Sequence, residues 1–427
     1  MKKTIYMIGS KIWNDEIDKK LEFLLNSQYW KREELYRYQL ERLKSIINIA
    51  YHDTKYYRNK YESANISPEN ITCLEDLNKV PIISKEELLS YRNDIQILDN
   101  RKKIYFAETS GSTGEPLVFY RDKEWDAWMR ASLYRGYSWY GVKPWDRNGF
   151  LWGYNFSLSK RFKVKLLDAL QNRFRLFSYD KKSMHKFLKK LENAAFISGY
   201  SSMIYELAKE INKENLQHNF KIKMAMGASE KIFDSYQDEV RKAFGIRMIN
   251  EYGAAEAGII AFECPEGSMH VNMETNIVQE ENNELIITNL TSNSFPVIRY
   301  KLGDYVEIDH QTKCKCGREH FIIREILGRT GKVIYGVNEK YPSLTLYYVF
   351  KNLAINRKII LNSVAVQKEK GFIEIYIESK LDATIKGYFM EEYRKYFKDD
   401  LHLTLRDGET YKRENKKKTD FISFIDT

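Results

Sequence analysis

The N-terminal part of the chain carries the apolar spacing of α-helices. Between residues 36 and 47 the apolar positions fall at i, i+4, i+7 and i+11, occupied by Tyr36, Leu40, Leu43 and Ile47. This spacing places the four side chains on one face of a helix. Pro81 interrupts the pattern, and Ser84 with Glu87 has the spacing of a capping box, so a new helix is predicted to begin after Ser84.

Strand-like segments alternate with helical segments in the middle of the chain. The segment "AFISGY" (195–200) precedes one helical segment, "KIKMAM" (221–226) precedes another, and "IRMINEYG" (246–253) follows directly. This alternation predicts an α/β layer with parallel strands.

After about residue 270 the pattern changes to strands joined by turns, and the last hundred residues mix strands with helix. The strand-like segments before the C-terminal region are "NELIITNL" (283–290), "FPVIRYKLGDYVEI" (295–308) and "HFIIREIL" (320–327). The predicted fold class is α/β. We expect a large N-terminal domain of α/β layers plus a β subdomain, residues 1–328, and a small, mobile C-terminal α+β domain, residues 329–427.

The segment "ETSGSTGEP" (108–116) lies between the strand-like runs "KIYFAE" and "LVFYR" and has no aliphatic residue. It cannot contribute to a core, so two interpretations remain. It is a surface hairpin turn, or its backbone N–H groups and hydroxyls hold an anion. It is not a Walker A loop, because no Lys follows Gly114. Asp122, after the second run, is placed to cap a helix.

The composition of the chain is that of a globular protein. Of its 427 residues 43% are hydrophobic and 14% aromatic, which argues against disorder. No apolar run reaches the length of a membrane span, and Gly9 breaks the short apolar stretch near the start, so no signal peptide is expected. Four Cys are too few for a disulfide scaffold in a chain of this size. We expect a cytoplasmic protein.

The formal net charge of +10 raises the alternative of a nucleic-acid partner. Lys and Glu are interspersed through most of the chain, however, and the one dense basic run is "YKRENKKKTDF" (411–421). A diffuse basic balance also suits an enzyme that binds polyanions such as ATP. A basic nucleic-acid-binding protein would bind polynucleotide in a salt-sensitive way and would not turn over ATP. We expect no nucleic-acid partner.

The cysteines suggest a metal site. Cys264 and His270 lie six residues apart, and Cys314 and Cys316 lie two apart, directly before a glycine. A Cys₃His set is typical of structural zinc, and thiols stay reduced in the cytoplasm. The alternative is that the cysteines are independent small hydrophobic residues. Cys73 stands alone and is expected to be buried.

Four further motifs follow the Gly/Ser/Thr segment in order: "MGASE" (226–230), "NEYGAAEAG" (250–258), "VIRYKLGDYVEI" (297–308) and "REILGRTGKVI" (324–334). The ordered series resembles the adenylate-forming superfamily of acyl-CoA ligases, adenylation domains and luciferases. Over nearly its whole length the chain is most similar to the phenylacetate–CoA ligase branch, including its capsule-biosynthesis relatives. The opening "NIAYHDTKYYRNKYE…EDLNKVPIISKEEL" is similar to the usual opening of that branch.

The resemblance implies that the polar loop cradles the β- and γ-phosphates of ATP. The residues that would do so are Thr109, Ser110, Gly111, Ser112, Thr113 and Gly114. The family often has a Lys after the last Gly, whereas this chain has Glu115. One positive contact is therefore missing or supplied from elsewhere.

The resemblance also assigns the other nucleotide contacts. Glu256 matches the acid that holds Mg²⁺, Tyr252 with Gly253 flanks adenine, and Asp304 accepts hydrogen bonds from the ribose hydroxyls. The small residues on the adenine side are followed by an acid: Gly227, Ala228, Ser229 and Glu230. The structural alternatives are an exposed Glu256 at a helix start, a core Tyr252 and an Asp304 that only serves a turn.

The resemblance places a hinge at "GRTGK" (328–332). The family commonly has Asp at the pivot, where this chain offers Gly331 or Lys332. Arg329 matches a contact to the ribose and phosphate side, with an exposed turn Arg as the alternative. The C-terminal domain of the family brings one catalytic Lys to the site. Here the matching region lacks its usual Gly, and we assign Lys417 with Lys416 and Lys418 as contenders, against a merely solvated basic tail.

The implied function is ATP-dependent adenylation of a carboxylic acid with release of pyrophosphate, followed by transfer of the acyl group. CoA is the favoured acceptor, because "YGVNEKYPS" (335–343) resembles the loop after the hinge in CoA-forming relatives. The alternative acceptor is an amine on an amino sugar or amino acid of a surface polysaccharide. The acid pocket is expected near residues 151–160 and 198–203 and near the Gly227 and Tyr252 turns. Trp152 indicates an apolar or aryl substrate, with core packing as an equal alternative. The sequence leaves homodimerisation open.

Overall fold

A computed structural model describes most of the chain. The described residues are 2–99, 103–109, 116–152, 158–177, 181–214, 219–229, 232, 234–282, 284–329, 333–342, 344–359, 361, 363–409, 411 and 421–425. They form two compact units. The larger holds residues 1–109, 118–302 and 306–326, and the smaller holds residues 110–117, 303–305 and 327–427. In the described part of the chain, no helix is long and apolar enough to cross a membrane.

The larger unit contains eleven α-helices among its described residues. They are α1 (Lys2–Trp13), α2 (Ile17–Ser27), α3 (Arg32–Asp53), α4 (Lys55–Ser63), α5 (Lys85–Ser90), α6 (Arg92–Ile95), α7 (Lys123–Trp139), α8 (Leu158–Leu170), α9 (Lys181–Leu191), α10 (Ser201–Lys213) and α11 (Asp234–Phe244). Two short 3₁₀ helices, Pro68–Asn70 and Leu74–Lys79, follow α4. The predicted caps are confirmed, because the Ser84 and Asp122 side chains accept from the backbone N–H groups of Glu87 and Trp125.

The strands of the larger unit form a hairpin and one large sheet. They are β1 (Ile104–Glu108), β2 (Val118–Asp122), β3 (Asn148–Leu151), β4 (Arg173–Arg175), β5 (Phe196–Tyr200), β6 (Met224–Ala228), β7 (Met248–Ala254), β8 (Gly258–Glu263), β9 (Met269–Val271), β10 (Asn276–Glu281), β11 (Glu284–Asn289), β12 (Tyr300–Asp309) and β13 (Ile322–Arg329). Strands β1 and β2 pair antiparallel. The order of the large sheet is β10-β11-β12-β13-β9-β8-β7-β6-β5-β3-β4.

The large sheet has a parallel half and an antiparallel half. Strands β4, β3, β5, β6 and β7 pair parallel, as the strand–helix alternation predicts. The change to antiparallel pairing occurs between β7 and β8. The switch therefore comes at Gly258, earlier than the predicted change near residue 270, because a short turn replaces the helical crossover that parallel strands need.

Helices cover both faces of the parallel half. Alternate residues of a strand point to opposite faces, and β5 follows this rule. Ile197 packs in the cluster that contains α9, α10 and α11 side chains, whereas Phe196 packs with Tyr137 of α7 and Phe262 of β8. A sheet buried on both faces needs nearly continuous apolar strands, which explains the apolar sequences of β5 ("FISGY") and β6 ("MAMGA").

The smaller unit has its own core and sheet. Its elements are β14 (Val333–Tyr335), β15 (Lys340–Pro342), α12 (Leu344–Arg357), β16 (Ser363–Gln367), β17 (Phe372–Ile377), α13 (Ala383–Phe397), β18 (His402–Asp407) and β19 (Phe421–Ser423). The sheet order is β18-β17-β16-β19, with parallel outer pairs and an antiparallel central pair. Phe389, Tyr393 and Phe397 of α13 pack on Ile373 and Ile375 of β17. The α/β fold class is confirmed, while the hinge and the mobility of this unit stay predictions.

Two local predictions need correction. Cys73 is exposed rather than buried, because it is the N-cap residue of the second 3₁₀ helix and lies at the surface. The strand predicted at residues 221–226 lies at Met224–Ala228 instead, because its ladder with β5 pairs Phe196 with Met224 and Tyr200 with Ala228.

Candidate functional site

The predicted phosphate loop joins the two strands of the β1–β2 hairpin. Glu108 pairs with Val118, so the Gly/Ser/Thr segment connects two antiparallel neighbours. Thr109 is buried at the end of β1. Ser110, Gly111, Ser112, Thr113 and Gly114 lie outside the described residues. The hairpin interpretation and the anion-binding interpretation are therefore compatible, and the phosphate contacts stay a prediction.

Glu256 lies in the short turn between β7 and β8 and is only 6% exposed. The Tyr300 hydroxyl donates to Glu256 Oε1 at 3.2 Å, and Asn289 Nδ2 donates to the Glu256 carbonyl at 3.0 Å. The alternative of an exposed glutamate at a helix start is wrong, because no helix begins here and the side chain is held from β12. A buried carboxylate fits the hard oxygen ligand that Mg²⁺ prefers. The metal role itself stays a prediction.

Tyr252 and Gly253 occupy the irregular end of β7. The register with β8 shifts between these two residues. A Cβ on Gly253 would lie 2.7 Å from the carbonyl oxygen of Gly258, which also has a left-handed φ of +69°. The close turn therefore requires glycine at both positions. Tyr252 is half-buried rather than a core residue, and its contact to adenine stays a prediction.

Glu251, directly before Tyr252, was not singled out from the sequence. Burial raises the pKa of Glu251 to about 7. Carboxyl groups with such raised pKa values cluster at functional sites, and this one lies on the strand that carries Tyr252 and leads to Glu256. Glu251 belongs to the "NEYGAAEAG" motif, but the burial that shifts its pKa depends on tertiary packing.

The predicted adenine-side turn begins later than expected. Gly227 and Ala228 belong to β6, and the chain turns at Ser229, which has a φ of 63°. A Cβ on Gly227 would lie 2.8 Å from Met248 Sδ and closer still to the Ser201 hydroxyl. Close packing of β6 against β7 and α10 therefore accounts for the glycine. Glu230 lies outside the described residues.

The remaining predicted nucleotide contacts are only partly described. Asp304 is half-buried within β12 and follows Gly303, which has a φ of 83°. Arg329 is the last residue of β13, and its side chain is not described. The hinge alternatives Gly331 and Lys332 and the lysines at 416–418, including Lys417, lie outside the described residues. Their roles stay predictions.

The four predicted zinc ligands lie together in the larger unit. Their ligand atoms are all within 4.8 Å of one another: Cys264, His270, Cys314 and Cys316. The sulfurs of Cys264 and Cys314 are 3.7 Å apart, and Cys316 Sγ lies 3.2 Å from His270 Nε2. A tetrahedral zinc with Zn–S bonds of about 2.3 Å separates two sulfurs by about 3.8 Å. The spacing of the donor atoms fits zinc.

Two tight turns and one strand hold these ligands. The Gly267 N–H donates to the Cys264 carbonyl at 2.9 Å, and the Gly317 N–H donates to the Cys314 carbonyl at 3.1 Å. Both glycines have left-handed φ values, 84° and 81°. His270 belongs to β9 and pairs with Ile322 of β13. The chain thus aligns two turns beside one strand, which the spacing of the residues alone did not reveal.

The surroundings of this cluster act on its ligands in different directions. Burial and the neighbouring His320 and Arg318 lower the pKa of His270 to about 3, so the imidazole is neutral as a metal ligand must be. Burial raises the pKa of the Cys264 thiol to about 12. Burial acts in the same direction on Cys314, but hydrogen bonds from Ser268 and Cys316 outweigh it and lower its pKa. A bound cation would favour all three thiolates.

A buried polar network supports the strands behind the cluster. Glu274 is completely buried and accepts from Arg135 Nη1 at 2.6 Å and from the Ser27 hydroxyl at 2.7 Å. His320 Nε2 lies 3.1 Å from Glu274 Oε2, and Arg135 Nη2 also donates to Asn272. Burial opposes ionisation of Glu274, but Arg135 and His320 outweigh it and hold its pKa well below the ordinary range.

The chain matches no family profile. It is 25% identical to Protein CapK of Staphylococcus aureus over 309 residues, which are 69% of this chain and 68% of that protein. It is 26% identical to phenylacetate-coenzyme A ligase of Thermus thermophilus over 333 residues, with 73% and 74% covered. The corresponding ligase of Escherichia coli is 24% identical over 373 residues, with 79% and 83% covered.

Solved structures show the same fold. A 2-hydroxyisobutyryl-CoA ligase, crystallised with 2-HIB-AMP and CoA in the thioesterification state, superposes with a TM-score of 0.66 at 18% identity. The match covers 93% of this chain and 91% of that one. The same ligase in a postadenylation state with 2-HIB-AMP gives a TM-score of 0.62. At this identity the likeness supports the architecture and not the substrate.

Proposed function

The chain belongs to the adenylate-forming superfamily, in its phenylacetate–CoA ligase-like branch, and we propose that it is an ATP-dependent carboxylate ligase. Four phenylacetate-coenzyme A ligases resemble it over 71% to 79% of its length, which is the observation that carries the proposal. The buried Glu256 at the β7–β8 turn supports it, since the motif predicts an oxygen ligand for Mg²⁺ at this position.

The proposed reaction has two steps. In the first, a carboxylate oxygen of the acid attacks the α-phosphorus of ATP, and the bond to the bridging oxygen breaks so that pyrophosphate leaves. In the second, the thiolate of CoA attacks the acyl carbon, a thioester forms and AMP leaves. Both steps bring anions together, so screening and positioning supply most of the catalysis. Mg²⁺ bound at Glu256 would neutralise phosphate charge during the first step.

We assign the remaining residues by the motifs they match. Thr109 and the polar loop after it hold the β- and γ-phosphates, Tyr252 flanks adenine, and Asp304 binds the ribose hydroxyls. Arg329 contacts the ribose and phosphate side, and Lys417 is the lysine delivered by the smaller unit. The likeness to phenylacetate-coenzyme A ligases supports the assignments as a set, and substitution at each position tests them one by one.

Zinc has a structural role in this proposal. The zinc cluster of Cys264, His270, Cys314 and Cys316 would join two turns to the antiparallel half of the sheet. Its strand β9 lies several strands from β6 in the order of the sheet. All four positions would be filled by protein, leaving none open for a substrate, as in structural rather than catalytic zinc sites. Magnesium at Glu256 is the only metal assigned to the reaction.

An amine is the alternative acceptor, as for an enzyme that acylates an amino sugar or amino acid in surface polysaccharide biosynthesis. The likeness to Protein CapK supports keeping this alternative. Acid-dependent pyrophosphate release over a panel of carboxylic acids tests the first step. Repeating the panel with CoA and then with amines, and identifying the product by mass spectrometry, separates the two acceptors.

Glu256→Gln and Asp304→Ala are expected to lower pyrophosphate release by orders of magnitude. Glu206→Gln is the matched control, because Glu206 is 41% exposed on α10 and pairs with Lys209 at the surface. Near-normal release by both site variants would remove the site assignment, and no release with any acid would remove the proposed activity.

The compartment and the assembly also belong to the proposal. A cytoplasmic location suits the cluster of reduced thiols, because zinc binding requires them unoxidised. Homodimerisation is tested by light scattering of the purified chain, which gives the mass of the particle directly.

A further inference from the structure

Two neighbouring helices of the larger unit each expose several large apolar side chains. Helix α1 lies against α8. The exposed side chains are Ile5, Ile8 and Ile12 on α1, and Phe162, Leu166, Leu167 and Leu170 on α8. We name this set the α1–α8 surface. Single exposed apolar residues are ordinary, but a contiguous apolar patch on a protein marks an interaction site.

Helix α1 turns its most apolar face away from the protein. None of its described residues is buried. The helix is held through Tyr6, whose hydroxyl lies 2.6 Å from that of Tyr134 and whose ring contacts Trp145. Ile8 and Ile12, four residues apart on the outer side, are 56% and 76% exposed. A surface helix normally buries its apolar stripe, so α1 has the reverse orientation.

Helix α8 repeats this arrangement. Its one acidic residue, Asp168, is buried and binds Arg175 at 3.0 Å. Phe162 is 75% exposed and Leu166 57% exposed, four residues apart on the outer face. The polar anchor thus faces the protein and the apolar side chains face outward. Both helices leave a stripe that nothing in the described part of the chain covers.

The exposed charged side chains on the two helices themselves are all positive. Helix α1 contributes exposed Lys2, Lys3 and Lys11, and α8 contributes exposed Lys163 and Lys165. Apart from the buried Asp168 of α8, neither helix contains an acidic residue. An apolar stripe flanked by lysines is the pattern of helices that lie in the interface of an anionic membrane.

We propose that the α1–α8 surface docks on an anionic lipid bilayer as a peripheral membrane contact. The isoleucine, leucine and phenylalanine side chains enter the boundary between headgroups and acyl chains, and the lysines meet the lipid phosphates. A second copy of the chain is a poorer partner, because an isologous contact would place one set of lysines opposite the same set. The proposal is independent of the ligase activity, since lipid binding needs neither ATP nor an acid.

Co-sedimentation of the full chain with vesicles tests the proposal. Vesicles of phosphatidylglycerol mixed with phosphatidylcholine are expected to bind the protein, and vesicles of phosphatidylcholine alone are expected to bind it more weakly. Binding should fall as salt rises, because part of the attraction is electrostatic. Ile12→Glu is expected to lower vesicle binding by at least about tenfold, since it replaces an isoleucine side chain buried in the bilayer boundary by a charged one.

Leu98→Glu is the matched control. Leu98 is 50% exposed outside both helices, so the same loss of an exposed apolar side chain and the same added charge should leave vesicle binding unchanged. Circular dichroism of both variants confirms that each is folded. The proposal is overturned if anionic vesicles do not bind the protein, or if Ile12→Glu binds them as well as Leu98→Glu. It is also overturned if light scattering shows a dimer that Ile12→Glu dissociates, since a second copy then covers the surface.

Discussion

Removal of the charge of Glu274 should destabilise the larger unit strongly. Glu274 and Arg135 are 0% and 1% exposed and joined at 2.6 Å. Glu274→Gln preserves the shape of the side chain but leaves the Arg135 guanidinium buried without a counter-charge. Breaking a buried ion pair in this way costs about 3 to 5 kcal/mol of unfolding free energy. The Ser27 and His320 contacts would weaken as well, so we expect a loss of at least about 3 kcal/mol.

Urea denaturation followed by tryptophan fluorescence measures this loss. The control Glu206→Gln removes a surface pair whose side chains are both 41% exposed, and it should change the unfolding free energy by about 1 kcal/mol or less. The double variant Arg135→Met with Glu274→Gln should be more stable than Glu274→Gln alone, because the stranded charge is gone. The reasoning would be refuted if Glu274→Gln lost no more unfolding free energy than the control. It would also be refuted if the loss in the double variant equalled the summed losses of Arg135→Met and Glu274→Gln.

The same network predicts the direction of acid sensitivity. The lowered pKa of Glu274 means that the folded chain holds its carboxylate ionised more firmly than the unfolded chain does. The stability it supplies is present above its ordinary pKa of about 4.5 and is lost as the pH falls toward the lowered value. Glu274→Gln should therefore lose less stability than the parent on acidification below pH 4.5. An equal loss in both would contradict this account.

Three further outcomes follow from the structure. By elemental analysis the purified chain should hold about one zinc. Cys316→Ser should lose this zinc, whereas Cys73→Ser, at an exposed cysteine outside the cluster, should keep it. Equal zinc in both variants, or none in the parent, would contradict zinc binding by the cluster. Burial raises the pKa of Glu251 from 4.5 to about 7, so the free energy of unfolding should fall by up to about 3 kcal/mol as the pH rises from 4.5 to 7. Glu251→Gln should remove this fall. Urea midpoints measured across this pH range would refute the prediction if the variant and the parent gave the same profile. Gly227→Ala should destabilise by about 1 to 3 kcal/mol in thermal melts because its Cβ meets Met248 at 2.8 Å, whereas Gly387→Ala in open space on α13 should not.

Local patterns predicted the elements whose stability depends on local chemistry. The helix predicted from residues 36–47 lies within α3, and the capping box at Ser84 is confirmed because it needs only neighbouring residues. Strands β5, β6 and β7 of the parallel half were predicted from the strand-like segments that alternate with helical segments. Their exact registers were not, since the ladder between β5 and β6 decides where β6 begins.

Long-range contacts account for what the sequence did not reveal at the site. The burial of Glu256 depends on Tyr300 and Asn289, which come from strands 33 and more residues away in the chain. The Glu274 network joins Ser27, Arg135 and His320 from separate elements. No spacing rule predicts such meetings, whereas the Cys-x-Cys-Gly turn of the zinc cluster is local and could be found.

ATP–pyrophosphate exchange that depends on an added carboxylic acid tests the central claim most directly, because it reports reversible formation of the acyl-adenylate without reference to the acceptor. The account predicts exchange with at least one acid for the parent chain and for Glu206→Gln, and loss of that exchange by orders of magnitude in Glu256→Gln. Equal exchange in Glu256→Gln and the parent, or no exchange with any acid across the panel, would contradict it.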